Sequence, residues 1–175
     1  MADDSAEEMV FAGRRFRVVR LVERAADGSR HVREIVRHPG AVAIVPLLDD
    51  GRVCLLHNDR CGVGRELIEL PAGTLEPGEE PLAAAERELA EETGYRAGRM
   101  ELLAEFYTSP GILDERMYLY VATELTAGPA APEPGERLRP SAVAWDEAMA
   151  MLRRGEIRDA KTLVGLLYCD ALRRR

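Results

Sequence analysis

Apolar and polar residues alternate along two short stretches near the start of the chain, Phe16-Arg17-Val18-Val19-Arg20-Leu21-Val22 and His31-Val32-Arg33-Glu34-Ile35-Val36, with Asp27-Gly28 between them. Alternation with period two around a turn dipeptide predicts a β-hairpin. The dozen residues at the very start are small and acidic and predict a frayed tail. After Pro39-Gly40 the pattern changes to an almost unbroken apolar run over 41–48, then Asp49-Asp50-Gly51, then Val53-Cys54-Leu55-Leu56. Such runs predict buried strands of a mixed sheet. Residues 100–107 and 117–122 are further strand candidates, the second through Tyr118, Tyr120 and Val121, and a loop with Ser109-Pro110-Gly111 separates them. Residues 127–140 are rich in proline and glycine and predict a long loop. Val143 and Trp145 suggest one more strand, 147–154 a short helix, and 162–172 a terminal helix with Leu163, Leu166, Leu167 and Leu172 toward the core. Strands, helix, strands, helices in that order mean α+β or an α/β sandwich. The expected division is a tail and hairpin unit at 1–38 and one main domain at 39–175, without internal repeats.

The clearest helical signal covers 81–93. Pro81 suits the first helical position and Gly94 the residue after the last. Leu82, Ala85, Leu89 and Thr93 recur at spacings of three and four and form one packing face; Glu88, Glu91 and Glu92 are assigned to another. Their position is costly. Carboxylates three and four apart repel by about 0.2–0.5 kcal/mol per pair, and the negative helix end disfavours each by about 0.3–1 kcal/mol. A solvated acidic face softened by Arg87 is one account of them. The other is a hard divalent cation, which takes carboxylate oxygens together with waters and substrate phosphates and reverses the sign of the cost.

Composition narrows the choice. A chain of 175 residues with 46% hydrophobic content can bury one core of useful size. Its 24 basic and 31 acidic side chains leave a formal charge of −7, which argues against a nucleic-acid partner held by a basic face. No apolar run approaches the roughly 20 residues that span a bilayer, and MADDSAEEMV lacks the basic and apolar regions of a signal peptide. The expectation is a cytoplasmic protein with no membrane partner. Cys54, Cys61 and Cys169 show no CxxC pairing and read as free thiols, Cys54 and Cys169 as core filler. His31, His38 and His57 lack metal-ligand spacing and read as surface or packing residues. Trp145 reads as core or interface packing, with stacking on a base as the alternative.

The frame around the acidic helix is Gly73, Glu79 after five residues, Arg87-Glu88-Leu89 after seven more, then Glu91-Glu92 and Gly94. It resembles the Nudix box, G-x5-E-x7-R-E-U-x-E-E-x-G-U with U aliphatic, and departs from it only at Tyr95. Seven fixed identities arise by chance with a probability on the order of 10⁻⁸ per start position. The resemblance implies the Nudix fold, an α+β architecture in which a mixed sheet flanked by helices makes an α/β/α sandwich. It implies hydrolysis of a nucleoside diphosphate linked to another group, with Mg²⁺ as cofactor and Mn²⁺ as a substitute. Glu88 and Glu92 are then metal ligands, Glu91 a further ligand or a base, and the carbonyl of Ala72 another ligand. Gly73 and Gly78 let the chain turn tightly. Arg87 is either a rigid donor that fixes the carboxylates, without an acid–base role, or a structural ion pair.

Beyond the box, Glu69-Leu70-Pro71-Ala72-Gly73, the 109–115 segment with Pro110 sixteen positions after Gly94, and Gly155-Glu156-Ile157-Arg158-Asp159-Ala160-Lys161-Thr162 resemble the ADP-ribose pyrophosphatase branch. That resemblance implies ADP-ribose as substrate, with AMP and ribose 5-phosphate as products, and Arg60, Glu69 and Pro110 as substrate-binding positions. It implies a homodimer in which the hairpin packs on, or exchanges with, the partner; an extra edge hairpin is the alternative. His57-Asn58-Asp59 before Arg60 differ from the branch's usual residues. The branch also places a catalytic glutamate in an acidic run before the tryptophan. Here that position falls to Glu136, then Glu133, with Arg137 and Arg139 intruding, and Glu91 could serve instead. The two arginines could bind a further phosphate. Two other functions remain in view: a Nudix enzyme for another nucleotide, and a non-catalytic module that binds one.

Overall fold

A computed structural model describes residues 7–132, 135 and 137–173. In chain order the elements are β1 (Glu7–Ala12), β2 (Arg17–Arg24), β3 (Arg30–Arg37), β4 (Ala41–Pro46), β5 (Arg52–Arg60), β6 (Arg65–Glu69), β7 (Ala72–Thr74), α1 (Pro81–Thr93), β8 (Tyr95–Tyr107), β9 (Arg116–Ala127), β10 (Leu138–Ala144), α2 (Trp145–Arg153) and α3 (Ala160–Arg173).

The apolar run of β4 is buried along its whole length because both of its faces are covered. Successive side chains of a strand point to opposite sides. Ala41, Ala43 and Val45 join Trp145, Met149, Ile157 and Leu166 in one cluster, while Val42 and Ile44 join Ala84, Ala85 and Leu89 of α1 in the other. A strand without polar alternation is what a sheet covered by helices on both faces requires. The sheet runs β7-β4-β9-β8, with β4 and β9 parallel and the outer pairs antiparallel. A second antiparallel sheet, β10-β5-β6, adds Val53 and Leu55 to the first of these clusters. These layers are the expected α/β/α arrangement.

The third sheet, β1-β2-β3, is N-terminal and antiparallel, and most of its side chains are exposed. It extends the expected hairpin by a strand. Of the acidic residues read as a tail, Asp3 and Asp4 lie outside the described residues, while Glu7 and Glu8 lie opposite Leu21 and Arg20 on β2, and their carboxylates meet Arg37 and Arg20. Val36 bridges Leu113, and Arg37 reaches Asp114, so the sheet is tied to the 109–115 turn.

Other expectations were displaced for local reasons. β6 and β7 are too short to show a pattern. β8 begins at Tyr95, earlier than expected, with a register shift between Leu102 and Ala104. β10 starts inside the expected loop; Pro140 is tolerated because β10 is an edge strand. Trp145 opens α2 instead of ending a strand, and its Nε1 donates to Asp170. On α3, Thr162, Gly165, Leu166 and Cys169 form the buried face, which leaves Leu167 and Leu172 exposed instead of core-facing. On α1, Leu82 is likewise exposed, and the buried face is Ala84, Ala85, Leu89, Glu92 and Thr93. Glu92 lies three residues after Leu89 and so shares the packing face assigned above to Leu82, Ala85, Leu89 and Thr93.

Cys54 and Cys169 are buried and Cys61 exposed, all free; burial pushes the Cys54 thiol up to about 11. No helix among the described residues is long and apolar enough to cross a membrane.

Candidate active site

The chain leaves β7, turns, and enters α1, and each step of that path positions a carboxylate. Gly78 takes a left-handed φ of 79° in the turn. Glu79 closes the turn by accepting the amide of Glu76 through Oε2 at 2.9 Å. Pro81 opens α1 with its preset φ. At the other end Gly94, with φ 76°, caps the helix by donating its amide to Ala90. A side chain at Gly94 would run into the backbone of Gly128 and Ala130, so glycine is required there on two counts.

Arg87 is the hub of the acidic face. Its Nε and Nη2 donate to the two oxygens of Glu79 at 2.8 and 2.9 Å, and its Nη1 donates to Glu88 at 2.7 Å and to Glu91 at 3.1 Å. The planar guanidinium takes both oxygens of Glu79 side-on and still has a donor left for Glu88 and Glu91. The carboxylates hold the Arg87 pKa far above its ordinary value, through the Glu79 hydrogen bonds above all. Arg87 in turn holds the Glu79 carboxyl below the usual range. Glu92 is buried, 5% exposed, and its Oε2 accepts the amide of Ala72 at 2.8 Å. Any side chain at Gly73 would occupy the space of the Glu88 carboxylate, so the glycine of β7 makes room for an acid of α1.

A cleft of about 970 Å³ opens beside these groups. Ala72, Arg87, Glu88 and Glu92 line it, as do Arg60, Asp159 and Lys161. Arg60 binds Glu69 side-on, Nε to Oε1 at 2.8 Å and Nη2 to Oε2 at 2.6 Å. Glu69 is 1% exposed. Burial pushes its carboxyl up, but Arg60 and Lys161 outweigh that and hold it below the ordinary value. The cations answer the cost of burying a charge.

Most of the site residues expected from sequence therefore meet in one place. Glu91 is held by Arg87 and is a third exposed, but does not line the cleft. Pro110 sits in an exposed turn outside the lining. Glu136 and Glu133 lie outside the described residues. Sequence reasoning quoted Glu115, Asp159 and Lys161 only as part of a resemblance, and it missed Arg14, Arg15 and Thr108 in the lining. Nothing in their spacing marks them, because they come from the β1–β2 turn, the ends of β8 and β9, and the start of α3.

The donor set suits a hard cation: carboxylate oxygens and a backbone carbonyl, with no thiolate or imidazole among them. The room that Gly73 leaves for the Glu88 carboxylate fits the same purpose. Among the described residues no three acidic, histidine or cysteine side chains are already gathered as a metal-holding group. Glu88 and Glu91 are turned onto Arg87, and Glu92 onto the Ala72 amide.

The layered fold and the carboxylate-lined cleft define a nucleotide-hydrolase architecture. A family model described as the NUDIX domain matches residues 37–164, and the chain belongs to that family, as a Nudix pyrophosphohydrolase of the ADP-ribose pyrophosphatase-like branch. It is 36% identical over 165 residues to an ADP-ribose pyrophosphatase of Bacillus subtilis (strain 168), covering 93% of this chain and 89% of the relative. It is 39% identical over 167 residues to a methanol dehydrogenase activator of Bacillus methanolicus, covering 92% and 88%. The crystal structure of an ADP compounds hydrolase superposes with a TM-score of 0.84 over 99% of this chain and 96% of that one, at 23% identity, which is a likeness of fold. Nudix hydrolases generally depend on divalent metals.

Proposed function

We propose that this enzyme cleaves the pyrophosphate bond of ADP-ribose to give AMP and ribose 5-phosphate, with Mg²⁺ as its ion and Mn²⁺ as a working substitute. The observation that carries the reading is the presence of Glu88, Glu92 and Ala72 in the lining of the same cleft as Arg60. In this reading Glu88, Glu91, Glu92 and the Ala72 carbonyl hold the ion. When bound, it neutralises diphosphate charge and activates water for attack on phosphorus. Arg87 keeps Glu88 and Glu91 oriented and ties them through Glu79 to the turn before α1. Arg60 receives a phosphate oxygen, and Glu69 sets the plane of its guanidinium. The general base is Glu136, or Glu91 acting from α1. Residues 1–38 are a dimerisation unit and 39–175 the catalytic domain of a cytoplasmic homodimer. Exposed Met9, Val10, Phe11 and Val32 are apolar surface that a second copy would cover.

A second reading, another nucleotide sugar, is favoured by the likeness to a GDP-mannose pyrophosphatase of Citrobacter koseri, 34% identical over 158 residues, with 85% of this chain and 82% of the relative covered. Product analysis distinguishes the readings. ADP-ribose, ADP-glucose, GDP-mannose and a nucleoside triphosphate are incubated with the protein in Mg²⁺ or in chelator. Metal-dependent release of AMP and ribose 5-phosphate, fastest among the four, is the expected result. Faster cleavage of another compound moves the assignment to that substrate, and inactivity on all four leaves a nucleotide-binding module.

A further inference from the structure

Lys161 is nearly buried, with 12% of its side chain exposed, and its ammonium sits between two carboxylates: Nζ donates to Glu69 Oε2 at 2.6 Å and to Asp159 Oδ1 at 2.9 Å. Asp159 uses its other oxygen to cap α3, accepting the amide of Thr162 at 2.9 Å and its hydroxyl at 2.6 Å. Thr162 Oγ1 in turn accepts the amide of Leu70 at 2.8 Å, next to Glu69. The result is a chain of charges, Asp159–Lys161–Glu69–Arg60, that joins the start of α3 to β6 and β5. Asp159, Lys161 and Arg60 line the cleft.

Pinning Glu69 in the fold requires one cation, and Arg60 alone makes two hydrogen bonds to it. The second cation has a different effect. With Arg60 as the sole cation, Glu69 and Asp159 together would leave a net negative charge beside the cleft and repel an anion. Lys161 brings the cluster to neutrality, so Arg60 meets an anion without a net negative field around it, and its Nε–Nη2 edge stays held on Glu69. Charge that is partly withdrawn from water acts strongly at such distances.

We propose that Lys161 is a positioning residue for substrate binding: by sharing the buried Glu69 carboxylate it leaves Arg60 oriented and electrostatically free to grip the diphosphate. This rests on the reading of the cleft as a diphosphate site. Lys161 acts through Arg60 and need not touch the substrate itself.

The test is a set of variants assayed for KM and kcat, with thermal unfolding measured beside them. Lys161→Gln keeps an N–H donor toward Glu69 and removes the charge; Lys161→Arg keeps the charge. Charge sharing predicts that K161Q raises KM about tenfold or more while kcat stays within about threefold, and that K161R stays within about threefold of the parent in KM. A merely structural peg predicts the reverse order, with the uncharged but similarly sized glutamine tolerated better than the bulkier arginine. K161Q with a KM within about twofold of the parent, or with a fall confined to kcat, overturns the proposal. If K161Q does not fold, K161R decides alone: a KM within about threefold supports the proposal and a rise of about tenfold overturns it. The assay uses whichever of ADP-ribose, ADP-glucose and GDP-mannose the parent turns over fastest. Failure on ADP-ribose then removes only the substrate assignment, whereas inactivity of the parent on all three overturns both readings.

Discussion

Two charge clusters border the same cleft and follow opposite arithmetic. On α1 a single guanidinium, Arg87, serves Glu79, Glu88 and Glu91, while Glu92 is held close by a backbone amide. Across β5, β6 and the start of α3, two cations, Arg60 and Lys161, serve two acids, Glu69 and Asp159. The second cluster is electrically complete. The first carries surplus negative charge that a divalent ion would balance. The complete cluster can present Arg60 to an anion without repelling it; the unbalanced one asks for a cation.

Removing the ion tests the unbalanced side most severely. Chelation is expected to abolish turnover and Mg²⁺ to restore it, while Mg²⁺ raises the melting temperature of the parent, since an ion at 100 times its Kd adds about 2.7 kcal/mol. A parent whose activity and melting point ignore both treatments would make the two clusters equivalent. Glu92→Gln comes next. Turnover is expected to fall by about 10²-fold or more, the scale of several kcal/mol of lost transition-state stabilisation. The amide oxygen of glutamine can still accept the Ala72 N–H, so the melting point in chelator should stay level or rise; undiminished turnover would remove Glu92 from the mechanism.

The balanced side should answer in stability as well as in substrate binding. Glu69→Leu leaves Arg60 and Lys161 without their shared acid. Breaking a buried pair costs about 3–5 kcal/mol, and the exposure of Arg60 reduces this to about 2 kcal/mol, to be read by denaturant titration. Gly73→Ala pushes a methyl group into the Glu88 carboxylate, an overpacking of about 1–3 kcal/mol that should also lower Mg²⁺ affinity. Unchanged ion binding would show that Glu88 is not confined by β7.

The smallest effect is that of pH. Glu69 and Glu79 titrate below their ordinary range in the folded state. Their contribution is complete above the unfolded glutamate value of about 4.3 and is lost as pH falls below it through the lowered folded values. Melting temperature should therefore drop between about pH 5 and 3, and Glu69→Gln should flatten part of that slope.

The same contrast explains what could be read from the sequence. α1 was legible to its ends because Pro81 and Gly94 act locally and because three acids at a helix C-terminus are conspicuous. β4 was legible because burial on both faces leaves no polar residue to interrupt it. The Arg60–Glu69–Lys161–Asp159 cluster was invisible as a cluster. Its members lie on three elements, brought together by the β5–β6 ladder and the docking of α3, and each alone resembles any surface charge. β1 was misread for a related reason: acids that look solvated in sequence become strand residues once β2 and β3 offer arginines opposite them. Glu92 was assigned to a face apart from the packing residues because its charge outweighed its spacing, although residue 92 is a helical neighbour of Leu89 and its carboxylate accepts the Ala72 amide.

The N-terminal sheet meets the rest of the chain chiefly through the Val36–Leu113 bridge and the contacts of Arg37 and His38 with Asp114. So slender a joint gives the native state two clocks. Amide protons of β1 and β2 should exchange with solvent through opening of that sheet alone, while those of Ile44 and Leu119 should wait for the whole molecule to unfold. The 109–115 turn sits on the boundary between the two rhythms, so loosening of the N-terminal sheet would be felt at the rim of the cleft.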